Sequence, residues 1–133
     1  MNEYKIIIVD DETDILMLLE KALNLEGFHN ITKVDNGIAA VKICRESLPD
    51  IIILDVMLPD IDGYEVCRQI RQFSHCPILF LSSKSDEVDK ILGLAVGGDD
   101  YVTKPFSPKE IVYRVKAQLR RAAYKQNSIP NYA

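Results

Sequence analysis

The 133-residue chain lacks several features that mark common classes of protein. No apolar stretch approaches the roughly eighteen residues that a membrane-spanning helix needs, and neither a signal peptide nor a lipidation motif is present. Its three cysteines form no CxxC pair and no pattern with the two histidines, so zinc and redox sites have little support. We therefore expect a cytoplasmic protein with reduced thiols and no membrane contact.

Basic residues are also in deficit. Sixteen lysines and arginines stand against twenty acidic residues, which gives a net charge of -4. This balance makes these residues poorly suited to binding phosphate backbones. A role at DNA would therefore need a separate module.

What the chain does have is an alternation of short apolar stretches with amphipathic segments. Five stretches, several of them apolar without interruption, predict strands: residues 4–9, 31–34, 51–54, 77–81 and 101–102. Such runs are typical of parallel strands that are covered on both faces. With a helix after each strand, the pattern predicts a doubly wound α/β domain with helices on both faces of the sheet. We assign this domain to residues 1–123, and the polar residues 124–133 to a linker or tail.

Helix boundaries and buried faces follow from caps and spacing. Thr13 is a candidate N-cap for the first helix, and Gly27 suits the position after its last turn. Ser107 and Glu110 form a capping box with Pro108 at the first helical position, which places the start of the last helix. Spacing also predicts these buried faces for the first, second and fourth helices: Ile15, Leu18, Leu19, Ala22 and Leu25; Ile38, Val41, Cys44 and Leu48; Val88, Ile91, Leu92 and Ala95.

Reactive side chains follow the predicted strands at their carboxyl ends. The first strand is followed by Asp10 and Asp11, the third by Asp55, the fourth by Ser82 and the fifth by Lys104. In a parallel sheet these ends share one edge, where open α/β sheets place their chemistry. Each residue has a common alternative role: the aspartates as turn formers or as partners of a helix dipole, Ser82 as a turn residue, and Lys104 as a solvated loop residue.

Taken together, these residues favour phosphoryl chemistry. Three close carboxylates repel one another unless a cation shares the site, and an oxygen-only ligand set suits Mg²⁺ better than zinc. Lys104 and Ser82 could then hold the oxygens of a phosphoryl group. Asp55 remains as the nucleophile that accepts it.

Four motifs carry a close resemblance to a known family. They are IVDDE from Ile8, LDVMLPDIDG from Leu54, LSS from Leu81 and DDYVTKPF from Asp99. In order and spacing they resemble the receiver domains of two-component response regulators over about residues 4–123. The resemblance implies a flavodoxin-like fold with strand order 2-1-3-4-5. It also implies a signalling protein, not a conventional enzyme, that takes a phosphoryl group from a partner sensor histidine kinase.

The resemblance also implies roles for single residues. Asp55 matches the phosphoacceptor. Asp11 and Asp55 match direct Mg²⁺ ligands, Asp10 a ligand acting largely through water, and Met57 a ligand through its backbone carbonyl. Ser82 matches the hydroxyl that binds the phosphoryl group, and Lys104 the lysine beside it, with a cis bond to Pro105.

Tyr101 matches an aromatic switch that turns inward when Ser82 engages the phosphoryl group. A half-buried strand tyrosine is equally compatible with the sequence.

The DDYVTKPFSPKE segment, followed by a helix ending in LRR, most resembles the winged-helix transcription factors of the OmpR/PhoB type. In that subfamily, activated receivers dimerise through the fourth helix, fifth strand and fifth helix. Matching positions here predict three cross-dimer ion pairs: Lys90 with Glu110, Asp100 with Arg114, and Asp99 with Arg121. The alternative is a solvated charged face, where such pairs contribute little. DNA binding would then belong to an effector domain outside this chain, and the alternative is a stand-alone receiver that acts by binding other proteins.

Other phosphate-handling classes fit less well. A haloacid dehalogenase phosphatase needs a second aspartate two residues after the nucleophile, where this chain has Met57. A nucleotide hydrolase needs GxxxxGK[ST], which is not present. A flavodoxin needs hydroxyls and glycines after the first strand, where the acidic DDETD would repel the phosphate of FMN.

Overall fold

Strands and helices alternate strictly in the computed structural model, which describes residues 3–84 and 87–127. The strands are β1 (Ile6–Val9), β2 (Ile31–Val34), β3 (Ile51–Asp55), β4 (Ile78–Ser82) and β5 (Asp100–Thr103). The helices are α1 (Thr13–Leu25), α2 (Gly37–Ser47), α3 (Gly63–Ile70), α4 (Glu87–Ala95) and α5 (Pro108–Asn127). All strand pairs are parallel, and the order β2-β1-β3-β4-β5 confirms the predicted topology.

The three central strands are buried along their whole length. Every residue of β1, β3 and β4 is buried, which explains why these stretches show no alternation of apolar and polar residues. Their side chains alternate between two cores, so Ile6 and Ile8 face one side of the sheet while Ile7 and Val9 face the other. Helices cover both faces, as predicted.

The two helical layers have different members. Helices α1 and α5 cover one face through residues such as Leu19, Leu23 and Val115. Helices α2 and α3 cover the other through Val41, Val66 and their neighbours. Helix α4 packs beside the edge strand β5, and Gly93 is its one buried residue.

Several predicted helix faces are wrong in detail. In α1 the buried residues are Leu16, Leu19 and Leu23, while Leu18 is exposed and Leu25 is 77% exposed. The predicted α4 face, Val88, Ile91, Leu92 and Ala95, is exposed throughout, and Val88 reaches 74%. In α2, Val41 and Cys44 are buried as predicted, but Ile38, in the first turn, and Leu48, the C-cap residue, are exposed.

Helix boundaries were predicted with mixed success. Helix α5 begins at Pro108 as the capping box indicates, and the Ile111 N–H donates to the Ser107 carbonyl over 3.2 Å. Thr13 is not the cap of α1, because the N-cap position is Glu12 and no side chain caps that end. Gly27 does adopt a positive φ, of 92°, after α1.

The chain remains helical beyond the predicted domain boundary. Helix α5 continues to Asn127, so residues 124–127 of the predicted linker or tail are helical. The remainder of the predicted tail, residues 128–133, lies outside the described residues. Within the described part of the chain, no helix has the length and apolar character needed to cross a bilayer.

Candidate functional site

Strand register brings the predicted site residues to one edge of the sheet. Val9 pairs with Leu54, Asp55 with Leu81, and Ser82 with Thr103, so the carboxyl ends of the four strands are level. The link to β5 continues past the strand, where the Lys104 N–H donates to the Ser82 carbonyl over 2.7 Å. The backbone therefore fixes the positions from which these side chains extend.

Three carboxylates meet at this edge. One oxygen each from Asp10, Asp11 and Asp55 lies within 4.8 Å of the others. Asp10 is 0% exposed and Asp55 is 2% exposed, whereas Asp11 is open to solvent. This is an oxygen-only ligand set with one open side, which fits a hard divalent cation such as Mg²⁺.

Lys104 is the cation that the described residues place among these carboxylates. Its Nζ lies 3.1 Å from Asp10 Oδ2 and 3.5 Å from Asp55 Oδ2. A third contact, 3.6 Å long, reaches Glu12 Oε2. One positive charge thus faces several negative ones, and the excess negative charge supports the fit of a metal ion.

Burial and mutual repulsion disturb the acid–base behaviour of the site. The pKa of Asp55 is raised from 3.8 to about 6, mainly by burial of the carboxylate and to a lesser extent by the negative charge of Asp10. The positive charge of Lys104 and the hydrogen bond from the Met57 N–H oppose the rise. Burial likewise raises the pKa of Asp10. Burial disfavours the charged form of Lys104, but the charges of Asp55 and Asp10 outweigh it and raise the Lys104 pKa.

The loop between β3 and α3 packs closely on the site. The Gly63 N–H donates to the Val56 carbonyl over 2.8 Å, and a Cβ at Gly63 would lie 2.3 Å from the backbone oxygen of Asp55. Met57 follows Asp55 by two positions and its N–H donates to Asp55 Oδ1 over 3.4 Å. Its side chain is exposed, so only its backbone is held at the site.

Sequence reasoning missed Asp60, which anchors the same loop. Its carboxylate accepts the N–H groups of Gly37 and Ile38, each over 2.8 Å, and so caps the start of α2. These bonds hold its pKa below the usual range, although burial opposes them. Asp60 lies inside a motif, yet nothing local indicates a partner more than twenty residues away.

Ser82 and Tyr101 lie on neighbouring strands. Ser82 is fully buried, and its Oγ accepts the Lys84 N–H over 2.9 Å. Tyr101 is partly buried and donates its hydroxyl hydrogen to the Lys84 carbonyl over 3.0 Å. The two predicted switch residues are therefore connected through Lys84. The Lys104–Pro105 bond is cis, as the resemblance implies.

The predicted dimer residues are partly paired within the chain. Arg114 contacts both oxygens of Asp100, over 2.8 and 2.9 Å, and its NH2 group lies 3.1 Å from Glu110 Oε2. Asp99 pairs with Arg71 of its own chain over 2.9 Å. Lys90 and Arg121 are exposed.

Comparison with known proteins agrees with this geometry. The chain matches the model of the response regulator receiver domain over residues 6–116. The alkaline phosphatase synthesis transcriptional regulatory protein PhoP of Bacillus subtilis (strain 168) is 53% identical over 119 residues, which cover 89% of this chain and 49% of that protein. The chain thus spans about half the length of this curated relative.

Solved structures show the same likeness. The BeF3-activated receiver domain of DrrB is 36% identical, with a TM-score of 0.80 over 88% of this chain and 97% of that chain. DrrB of Thermotoga maritima, an OmpR/PhoB homologue, is also 36% identical, with a TM-score of 0.81 over 90% of this chain and 54% of that one. Because the family model covers most of the chain and the fold has the strand order that the motifs predict, this chain belongs to the response regulator receiver domains.

Proposed function

We propose that Asp55 accepts a phosphoryl group from a phosphohistidine of a partner sensor histidine kinase. The observation that carries this proposal is the meeting of three carboxylates within 4.8 Å beside Lys104. Asp55 is the member of this group that lies in the middle of the edge, between Asp10 on one side and Ser82 on the other.

The transfer is a substitution at phosphorus. A carboxylate oxygen of Asp55 forms a bond to phosphorus as the bond from phosphorus to the histidine nitrogen breaks, and the electron pair of that bond returns to the imidazole. The product is an acyl phosphate. Lys104 Nζ, already 3.5 Å from Asp55, would then contact a phosphoryl oxygen, and the buried Ser82 hydroxyl would donate to another.

A metal ion belongs to this proposal. Asp10, Asp11 and Asp55, with the backbone carbonyl of Met57, would hold Mg²⁺. The ion supplies positive charge that offsets the negative charge of the phosphoryl oxygens. Asp11 is the exposed member of the set, so the metal would enter from the solvent side.

We also propose the output that the relatives suggest. PhoP of Bacillus subtilis is named as a transcriptional regulatory protein, and the chain matches about half of it. Phosphorylation would favour a homodimer through α4, β5 and α5, and control of transcription would act through a DNA-binding domain separate from the residues described above. The exposed apolar side chains of α4 support an interface there, since such patches commonly mark binding surfaces.

Intact-mass spectrometry tests the chemistry. The chain is incubated with acetyl phosphate and Mg²⁺, and we expect one phosphoryl adduct on the wild type and none on Asp55→Asn. Asp35→Asn is the matched control, because Asp35 also follows a strand at the same edge but is exposed. An adduct that persists in Asp55→Asn, or that forms equally well with EDTA in place of Mg²⁺, would contradict the proposal.

A further inference from the structure

Two tyrosine hydroxyls lie side by side between α3 and β5. Tyr64, at 9% exposed, belongs to the first turn of α3, and its Oη lies 3.2 Å from Oη of Tyr101. Tyr64 also donates to the Asp89 carbonyl in α4 over 3.2 Å, while Tyr101 donates to the Lys84 carbonyl over 3.0 Å. The pair therefore connects α3, β5 and α4 with the segment that follows β4.

This connection extends to the candidate phosphoryl site. The Lys84 N–H donates to Ser82 Oγ over 2.9 Å, so Lys84 is bound at its N–H by Ser82 and at its carbonyl by Tyr101. We call the series Ser82, Lys84, Tyr101, Tyr64 and Asp89 the hydroxyl chain. It runs from the hydroxyl beside Asp55 to the start of α4.

The rings beneath the hydroxyl chain are closely packed. Phe80 lies between the two tyrosines, with ring centroids 5.3 Å from Tyr64 and 6.0 Å from Tyr101. Helix α4 rests directly on these rings, because a Cβ at Gly93 would lie 2.9 Å from Tyr101 and 3.2 Å from Phe80. A movement of the Tyr101 ring therefore has to involve α4.

Counting hydrogens shows what Tyr64 contributes. Each phenol carries a single O–H, and the carbonyls of Lys84 and Asp89 at the two ends only accept. Two O–H groups therefore serve three contacts: while Tyr101 donates to Lys84, the single O–H of Tyr64 goes either to the Tyr101 oxygen or to the Asp89 carbonyl. When the Lys84 carbonyl moves away, Tyr101 can donate to Tyr64 instead, so Tyr64 offers a second partner that holds the Tyr101 hydroxyl in place.

We propose that Tyr64 is a positioning residue that holds Tyr101 toward Lys84 and so couples Ser82 to α4. This inference rests on the proposed function of Ser82 and Tyr101 and deepens it. The Ser82 hydroxyl accepts a hydrogen bond from the Lys84 N–H, and it can still donate its own hydrogen to a phosphoryl oxygen. The hydroxyl chain shown here is therefore compatible with a bound phosphoryl group, and Tyr64 stabilises it.

The test is a double-mutant cycle in the chain as it stands. Tyr64→Phe, Tyr101→Phe and the double variant are titrated with beryllofluoride and Mg²⁺ by NMR. Tyr64→Phe keeps the ring contact with Phe80 and should weaken beryllofluoride binding about fivefold, the change that one hydrogen bond of typical net strength gives. The double variant should bind about as weakly as Tyr101→Phe alone. Tyr113→Phe removes an exposed hydroxyl from α5 and should bind like the wild type.

A second measurement needs no phosphoryl mimic. In protein with ¹³C-labelled tyrosine rings, Tyr64→Phe should shift the Tyr101 ring resonances of the resting state, whereas Tyr113→Phe should not. Unchanged Tyr101 resonances, or additive losses of beryllofluoride affinity, would overturn the role of Tyr64. If no variant, the wild type included, binds beryllofluoride, the proposed function fails, and the ring resonances still decide whether Tyr64 positions Tyr101.

Discussion

Asp55 destabilises the metal-free fold at neutral pH because its carboxylate is buried beside Asp10. Its pKa rises from 3.8 in the unfolded chain to about 6 in the fold, so the folded state binds the proton more tightly. The stability that the proton gives is fully present below pH 3.8 and is lost as the pH rises through 6. A shift of this size corresponds to about 3 kcal/mol at most.

Asp55→Asn should therefore stabilise the metal-free protein. We expect a free energy of unfolding about 1 to 3 kcal/mol above that of the wild type at pH 7.5 in EDTA, because the amide removes the buried charge. The gain should shrink as the pH falls through 6 and should be lost below 3.8, where Asp55 is protonated in both states. Urea unfolding followed by circular dichroism measures it.

Two comparisons make this test specific. Asp35→Asn, at an exposed position of the same edge, should leave the free energy of unfolding unchanged within about 0.5 kcal/mol. Added Mg²⁺ should stabilise the wild type more than Asp55→Asn. A gain that is the same at pH 4 and pH 7.5 would show that the Asp55 charge is not its source.

At the scale of elements, α3 is fixed to the site through its first residue. A Cβ at Gly63 would lie 2.3 Å from the Asp55 backbone oxygen and 2.9 Å from Val56 Cα, and neither backbone atom can move without moving β3. Helix propensity alone would favour alanine at this position by about 1 kcal/mol. Packing and propensity therefore predict opposite results for the same substitution.

Gly63→Ala should destabilise the domain by about 3 kcal/mol, since overpacking against backbone outweighs propensity. Because the same contact positions Asp55, the apparent Mg²⁺ affinity should fall as well. Urea unfolding and calorimetric titration with Mg²⁺ measure the two effects. Gly63→Ser adds an atom beyond the same Cβ and should be no more stable than Gly63→Ala. A Gly63→Ala protein as stable as the wild type would show that α3 does not pack on Asp55 in this way.

Strands were predicted from the sequence more reliably than helix faces. A central parallel strand is buried on both sides, so its composition alone identifies it, and β1, β3 and β4 were found where the apolar runs lie. A helix face shows only which residues are apolar. In α4 the apolar side chains of Val88 and Ile91 are exposed, whereas Gly93, the buried residue of the helix, packs against the rings of Tyr101 and Phe80. In α4, spacing could not separate a core face from a surface patch.

The candidate site shows the same division. Residues placed by strand ends, such as Asp10, Asp55 and Lys104, meet as the motifs predicted. Asp60 and Tyr64 were not predicted, because their partners at Gly37 and Tyr101 come from other elements and depend on how helices are oriented on the sheet. Hydrogen bonds of this kind leave no periodic signal in the sequence.

For the whole molecule, the charges on the α4-β5-α5 face decide how two copies could associate. Arg114 is already bound to Asp100 and Glu110, so a cross-dimer bond from Arg114 would replace existing contacts and add little. Lys90 is exposed on α4 beside apolar Ile91. In the pair of Lys90 with Glu110 of a second copy, Lys90 would gain a partner, while Glu110 would share its carboxylate with Arg114 of its own chain.

A charge exchange at this pair tests the proposed dimer as a whole. In a twofold dimer the pair occurs twice, so Lys90→Glu should weaken beryllofluoride-induced association about tenfold, through two repulsions of roughly 0.5 to 1 kcal/mol each. Adding Glu110→Lys should restore most of the loss, because the opposite charges then meet again in exchanged positions. Sedimentation equilibrium measures the dissociation constant.

Lys42→Glu is the matched control, because it makes the same change in net charge at an exposed position of α2. It should associate like the wild type. If the double exchange associates no better than Lys90→Glu while its melting temperature stays close to that of the wild type, Lys90 and Glu110 do not face each other and the dimer uses another surface.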